Sequence, residues 1–113
     1  MPRKRMVLQL GMGTSLRHES YTDAARRAVD NALRQDALTV ADAFGVAKTD
    51  MQVEIHIGAQ RPDLVDADAV AGVPPYGRAQ VTVEKGGMDV AKDDGQGVTV
   101  MVNAAVVVYL EVA

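Results

Sequence analysis

The sequence predicts a single α+β domain of order β-α-β-α-β-β, a mixed four-stranded sheet with its helices on one face. Three observations predict it. Stretches of strictly alternating hydrophobicity, the mark of half-buried strands, are separated by stretches with apolar residues at helical spacing. The 113 residues suit one domain. Only two substantial helical stretches are present, enough to cover one face of a sheet but not both.

The first strand is read at Met6–Leu10, where Met6, Leu8 and Leu10 alternate with Val7 and Gln9. Residues 1–5 precede it as a basic tail, and Gly11-Met12-Gly13-Thr14 is read as the turn that ends it. A polar loop leads to a helix over about Tyr21–Arg34. Ser20 and Asp23 have the spacing of a capping box, which satisfies two otherwise orphaned amides. Ala24, Ala25, Ala28, Val29, Ala32 and Leu33 fall on one helical face. That face is mostly Ala, so the helix can lie close to a sheet. Thr39 and Asp42 repeat the capping spacing and open a short helix that Gly45 should stop.

Met51–Gly58 is the clearest alternation, with Met51, Val53, Ile55 and Ile57 on one side and Gln52, Glu54 and His56 on the other. A second main helix is expected from Pro62 or Asp63 to Ala71, since Pro is tolerated and Asp favoured in a first turn. Pro75-Tyr76-Gly77 has turn chemistry. The third strand follows, with Ala79, Val81 and Val83 opposed to Arg78, Gln80, Thr82 and Glu84. Gly86-Gly87 ends it, and Met88–Gln96 is read as a polar loop. The last strand runs over about Gly97–Val112. Sixteen residues at ~3.3 Å each is long for one strand, so a bulge or bend is expected near Asn103.

That last strand carries the main inference about assembly. Its even positions are all apolar, and Met101, Ala105 and Val107 make the odd face partly apolar too. It should be buried on both sides, yet no helix remains for the second. Another subunit is the simplest cover. Composition agrees. Of 54 apolar residues, 17 are Ala and 18 Val, while Phe occurs once and Trp not at all. Such a core buries little apolar area, at ~25 cal/mol per Å². Homo-oligomerisation is therefore expected.

The element order resembles the chorismate mutase-like fold, shared with small trimeric enamine/imine deaminase proteins. The resemblance implies a trimer with sheets packed centrally, helices outside and ligand sites between subunits. Gly11-Met12-Gly13-Thr14-x-Leu16, Thr22-x-Ala24-Ala25, Ala28-Val29, Pro75-Tyr76-Gly77, Gly86-Gly87 and Asn103-Ala104-Ala105-Val106 resemble an uncharacterised family of short bacterial conserved hypothetical proteins. That family's pattern has His-Gly-x-Asp after the Leu; here the chain reads Arg17-His18-Glu19-Ser20.

Several function classes are excluded or disfavoured. There is no cysteine, so disulfides and thiolate zinc sites are ruled out. No apolar run approaches the ~20 residues of a membrane helix, and the basic start lacks the pattern of a signal peptide. A cytoplasmic protein without membrane contact is expected. Net charge is −3 with four aromatics in all, which argues against nucleic acid. The charge is uneven: residues 1–34 carry seven basic and three acidic side chains, the remainder five and twelve. No metal-ligand spacing and no cofactor fingerprint is present. Gly11-x-Gly13 lacks the third small residue of a dinucleotide loop.

The candidate site residues are few. Gly11, Gly13, Thr14, Ser15 and Arg17 could form an anion-binding turn from backbone amides and one guanidinium, or simply a tight turn. Glu54 and His56 share one face of a strand and are the only plausible acid–base pair. Arg78 faces the same side from the neighbouring strand and is expected to pair with Glu54. Asn103 is either the polar partner of a bulge or a ligand-facing group. The function expected is a small-molecule-binding protein or enzyme, a homo-oligomer with trimer favoured, whose polar site between subunits takes a small anionic metabolite. Two alternatives stand beside it: a non-catalytic assembly module, or a distant relative of ring-opening amidohydrolases through a Ser15–Lys85 pair.

Overall fold

The computed structural model describes residues 3–16, 19–33, 40–75 and 77–111. Five strands form one mixed sheet: β1 (Arg3–Ser15), β2 (Gln52–Ala59), β3 (Arg78–Lys85), β4 (Met88–Ala91) and β5 (Val98–Glu111). The order across the sheet is β1-β5-β2-β3, with β4 on β5 beyond the end of β2. Only β2 and β3 run parallel; the other pairs are antiparallel. The helices are α1 (Tyr21–Leu33), α2 (Val40–Ala43) and α3 (Ala67–Ala71). The sheet therefore has five strands rather than four, because the stretch read as a loop contributes β4. Polar Asp89 and the short length hid it.

The helix side of the sheet holds the core. Val53, Ile55, Ile57 and Ala59 of β2 and Val100, Val102, Ala104, Val106, Val108 and Leu110 of β5 are buried. They meet Ala24, Ala25, Ala28, Val29 and Ala32 of α1, all fully buried. The Ser20 cap forms as its spacing implied: its hydroxyl accepts from the Asp23 amide at 3.1 Å. Gly45 ends α2 with φ +66°, a backbone conformation that favours glycine. Thr39, the cap expected for that helix, lies outside the described residues. The second main helix is shorter than expected. A single 3₁₀ turn at Pro62–Leu64 precedes α3, and Asp66 caps α3 by accepting from the Asp68 and Ala69 amides.

The largest departure is β1. The expected strand covered five residues; the observed one covers thirteen. The basic tail Arg3–Arg5 and the expected turn Gly11–Thr14 are both inside it. The two glycines are there for closeness, not for turning. A Cβ on Gly11 would lie 2.6 Å from the Ala32 amide nitrogen, and one on Gly13 would run into the Ala24 carbonyl. Each glycine removes a side chain so that the Ala face of α1 can rest on the β1 backbone. Two α1 side chains also cover the outer edge of β1. Asn31 Oδ1 accepts from the Met12 amide at 3.1 Å, and Arg27 donates to the Thr14 carbonyl at 2.6 Å. Unpaired strand edges are hazards for aggregation, and this one is blunted by its own helix.

Gly11 and Gly13 facing α1 have a further consequence. Leu8, Leu10 and Met12 must then face the other way, away from the helices, and they are 47%, 66% and 52% exposed. The alternation in β1 is real, but its apolar side is the open side. The expected bulge exists as well, but in β1 rather than at Asn103. Arg5 pairs with Tyr109 and Val7 with Val108, which leaves Met6 as the extra residue. β5 itself passes straight through Asn103, opposite Met12 and Gly58. A bulge reverses the parity of a strand. Arg3 and Arg5 before it thus share a face with Leu8, Leu10 and Met12 after it.

Candidate functional site

The open face of the sheet can be read in rows across four strands. The first holds Arg5, Tyr109, Gln52 and Arg78; the next Leu8, Val107, Glu54 and Gln80; then Leu10, Ala105, His56 and Thr82; then Met12, Asn103, Gly58 and Glu84. Met88 and Val90 of β4 extend the face beside Met101 and Thr99. The β2–β3 half is polar throughout. The β1–β5–β4 half is an apolar band, with Met88 53% and Val90 50% exposed. Val107 is buried and Met101 and Ala105 are half-buried, so the second side of β5 is only partly covered within one chain.

Glu54 is the hub of the polar half. Its Oε1 accepts from Arg3 at 3.0 Å and its Oε2 lies 3.6 Å from His56 Nε2. Arg3 also donates to Gln52 at 3.2 Å and stacks over the Tyr109 ring, 3.8 Å from its centroid. Burial pushes the Glu54 carboxyl up. The Arg3 hydrogen bond and charge, the Tyr109 hydroxyl and His56 outweigh it and hold the group below its usual range. A general base at neutral pH needs the opposite shift. Glu54 is built as an ionised anchor, with His56 beside its second oxygen.

The expected Glu54–Arg78 ion pair is not the one formed. Parallel pairing sets Arg78 opposite Gln52 and Gln80 opposite Glu54. The arginine on Glu54 is Arg3, from the stretch read as a tail. Sequence reasoning missed Arg3 because nothing local placed its strand beside β5. Among the described residues the Arg78 side chain pairs only with Asp50, at 4.0 Å, and it is 78% exposed. It stands between two grooves. One of about 380 Å³ includes Asp50, Gln52, Arg78 and Glu111; the other, about 210 Å³, includes Arg3, Gln52, Glu54, Arg78 and Gln80. Gln52 ties them together by donating to Glu111 at 3.0 Å.

The remaining candidates lie elsewhere. Gly11 and Gly13 sit under α1, so their amides belong to strand pairing and helix packing. Thr14 is half-buried on the open side. Ser15 is buried at 3%, and its hydroxyl accepts from the Ser20 amide at 3.1 Å. Arg17 lies outside the described residues. Asn103 is exposed on the open face, flanked by Gly58, which leaves its amide room. Ser15 and Lys85 sit on opposite edge strands with β5 and β2 between them, roughly 14 Å at ~4.8 Å per strand. The fold does not bring that pair together. Among the described residues no group of three or more His, Asp or Glu side chains could hold a metal ion. No helix among them is long and apolar enough to cross a membrane.

A second polar cluster lies on the helix side, at the far end of the sheet. The Tyr21 hydroxyl donates to Asp89 Oδ2, and Asp89 Oδ1 is buried without a hydrogen-bond partner. Burial, then the hydrogen bond and charge of Asp89, push the Tyr21 hydroxyl up to about 12. Nothing in the periodicity pointed to this pair, since Asp89 was read as part of a solvated loop.

No curated protein matches the chain. Among solved structures, the chain is similar to an FtsZ-like protein of unknown function from Nostoc punctiforme, known from a crystal structure at 1.22 Å resolution. Identity is 33%, the TM-score is 0.87, and the match covers 99% of each chain. The model of one conserved hypothetical protein family, Lin0512_fam, matches residues 5–108. With nearly its whole length inside that match, the chain belongs to the Lin0512 family of conserved hypothetical proteins.

Proposed function

We propose that this chain is a homo-oligomeric small-molecule-binding protein, a trimer by preference. Its apolar band is the subunit contact, and its polar half-face is a site for a small molecule carrying an anionic group. One observation carries the reading: a single sheet face holds both an uncovered apolar band and, next to it, an arginine whose nearest carboxylate among the described residues is 4.0 Å away, at the junction of two grooves. The band is Leu8, Leu10, Met12, Met88 and Val90, each about half exposed or more. Contiguous apolar surface of that kind marks an interaction site. The face is large enough for one. The 43 residues of β1, β5, β2 and β3, at ~3.3 Å each along strands ~4.8 Å apart, give a plane of roughly 700 Å², close to the ~800 Å² per partner of a standard interface.

The binding role rests on the guanidinium groups. The Glu54 carboxylate is committed to Arg3, which anchors that arginine beside the groove. The chorismate mutase-like arrangement, three sheets facing inward, is the assembly this face suits.

The test combines sedimentation with ligand-induced thermal stabilisation. The wild type should sediment as an oligomer at micromolar concentration, and Leu10→Glu as a folded monomer. Small carboxylates, with or without further substituents, should raise Tm in the wild type and not in Arg78→Ala, whose oligomer persists. A wild-type monomer refutes the assembly. Loss of the oligomer in Arg78→Ala favours the rival reading, a non-catalytic assembly module in which Arg3, Glu54 and Arg78 only pave an interface.

A further inference from the structure

The two grooves beside Arg78 carry opposite charge, and this deepens the proposed binding function by naming its ligand class. The smaller groove has two guanidinium groups, Arg3 and Arg78, against one carboxylate, Glu54. That carboxylate is already paired with Arg3 at 3.0 Å. The larger groove has one guanidinium, Arg78, against two carboxylates, Asp50 and Glu111. Arg78 and Gln52 line both, so the grooves adjoin at these two side chains, a channel with a positive part and a negative part.

The polar groups in this channel leave specific valences open. Among the described residues the Arg78 guanidinium forms no hydrogen bond, and the nearest carboxylate is Asp50 at 4.0 Å. Gln52 accepts from Arg3 at 3.2 Å and donates to Glu111 Oε1 at 3.0 Å, which holds both neighbours in place. It fixes the Glu111 carboxylate at the boundary with its second oxygen open. The Asp50 side chain is 61% exposed and its contact with Arg78 is long. A purely anionic ligand would meet Arg78 but would also lie against Asp50 and Glu111. A purely cationic one would meet those carboxylates but would face Arg3 and Arg78. Like-charge contact of either kind costs binding and serves discrimination.

We propose that the channel binds a small amphoteric molecule, an amino acid or a close relative bearing both an ammonium and a carboxylate. The carboxylate lies between Arg78 and Arg3, where the planar guanidinium suits a two-oxygen acceptor. The ammonium lies against Asp50 and Glu111. The channel volume is in the range of small-molecule sites.

The experiment uses the full chain and a panel of common L-amino acids, each with its des-amino acid and its decarboxylated amine, read by thermal shift and titration calorimetry. At least one amino acid should bind at least ~10-fold more tightly than both of its counterparts. Asp50→Asn with Glu111→Gln should reverse that preference toward the des-amino acid while leaving the oligomer intact. Arg78→Ala should abolish binding of both. If des-amino acids bind as well as their amino acids, the amphoteric ligand is refuted and the anion-binding function stands. If no panel member binds, both are refuted.

Discussion

Replacing Gly13 with Ala adds one methyl group and tests how the first strand meets the first helix. The new Cβ would sit 2.8 Å from the Arg27 Cβ and closer still to the Ala24 carbonyl and the Ala28 amide. Two of those three neighbours are backbone, so no side chain can swing aside. Ordinary contact begins near 3.4 Å, and α1 would have to recede by roughly 1 Å. All five small apolar residues of α1 that meet the sheet are fully buried, so that retreat loosens a packed layer along its length. Overpacking of this kind costs ~1–3 kcal/mol and sometimes more. The backbone nature of the clash places Gly13→Ala at the upper end, about 3 kcal/mol. For a domain of this size that is a fall in Tm of roughly 12 °C. Gly72→Ala is the control, because its Cβ would find nothing nearer than 3.6 Å. It should be neutral or gain a few tenths of a kcal/mol from the unfolded chain. Urea titration of both variants checks the difference. A loss below about 1 kcal/mol for Gly13→Ala refutes the close packing, and would return Gly11-x-Gly13 to the turn that its sequence first suggests.

Two predictions concern pH. The Tyr21 hydroxyl titrates near 12 in the folded chain against 10.0 unfolded, so the folded state holds the proton more tightly. Its contribution is complete below pH 10 and is lost as pH rises from 10 to 12; Tyr21→Phe should flatten that alkaline limb in a series of denaturation curves. Glu54 shifts the other way. Its folded pKa lies below 4.5, so its contribution is complete above that value and is lost as pH falls through the folded pKa. Glu54→Gln should remove that part of the acid transition, and an unchanged acid limb would count against the Arg3–Glu54 anchor.

Most of the element order, β4 apart, and most of the core were legible in the sequence because burial acts on period. Val53, Ile55 and Ile57, the even positions of β5 and the Ala face of α1 are all where alternation or helical spacing places them. The candidate site was legible only as a face. Glu54, His56 and Arg78 do share the open side, as strand parity requires. Which arginine meets Glu54 depends on strand order and register, and these are set by contacts distant in sequence. Arg3 and Glu54 are 51 residues apart. No local pattern carries that information.

β1 shows how a correct period can yield an inverted face. Alternation says which residues share a side and is silent about which side is inward. The usual assumption sends the larger apolar set, Met6, Leu8 and Leu10, to the core. Here the smallest residues decide instead. Gly11 and Gly13 are the only positions in β1 that admit the α1 backbone, so they take the helix side and the leucines take the other. The bulge at Met6 then keeps the two basic residues in register with Tyr109 and Glu111 rather than sending them under the helix. Close packing against α1 and an uncovered Leu8–Leu10–Met12 band are thus one choice, made by two glycines. The small-residue core follows from it. With α1 pressed against the β1 backbone, little volume remains there for large side chains, and the leucines of β1 are displaced to the open face. On the proposed assembly their burial is completed by a second chain. On that argument Leu10→Glu should leave the monomer's fold intact, because Leu10 contributes nothing to the helix-side core. The same substitution at Ile55, on the opposite side of the same sheet, should prevent folding altogether.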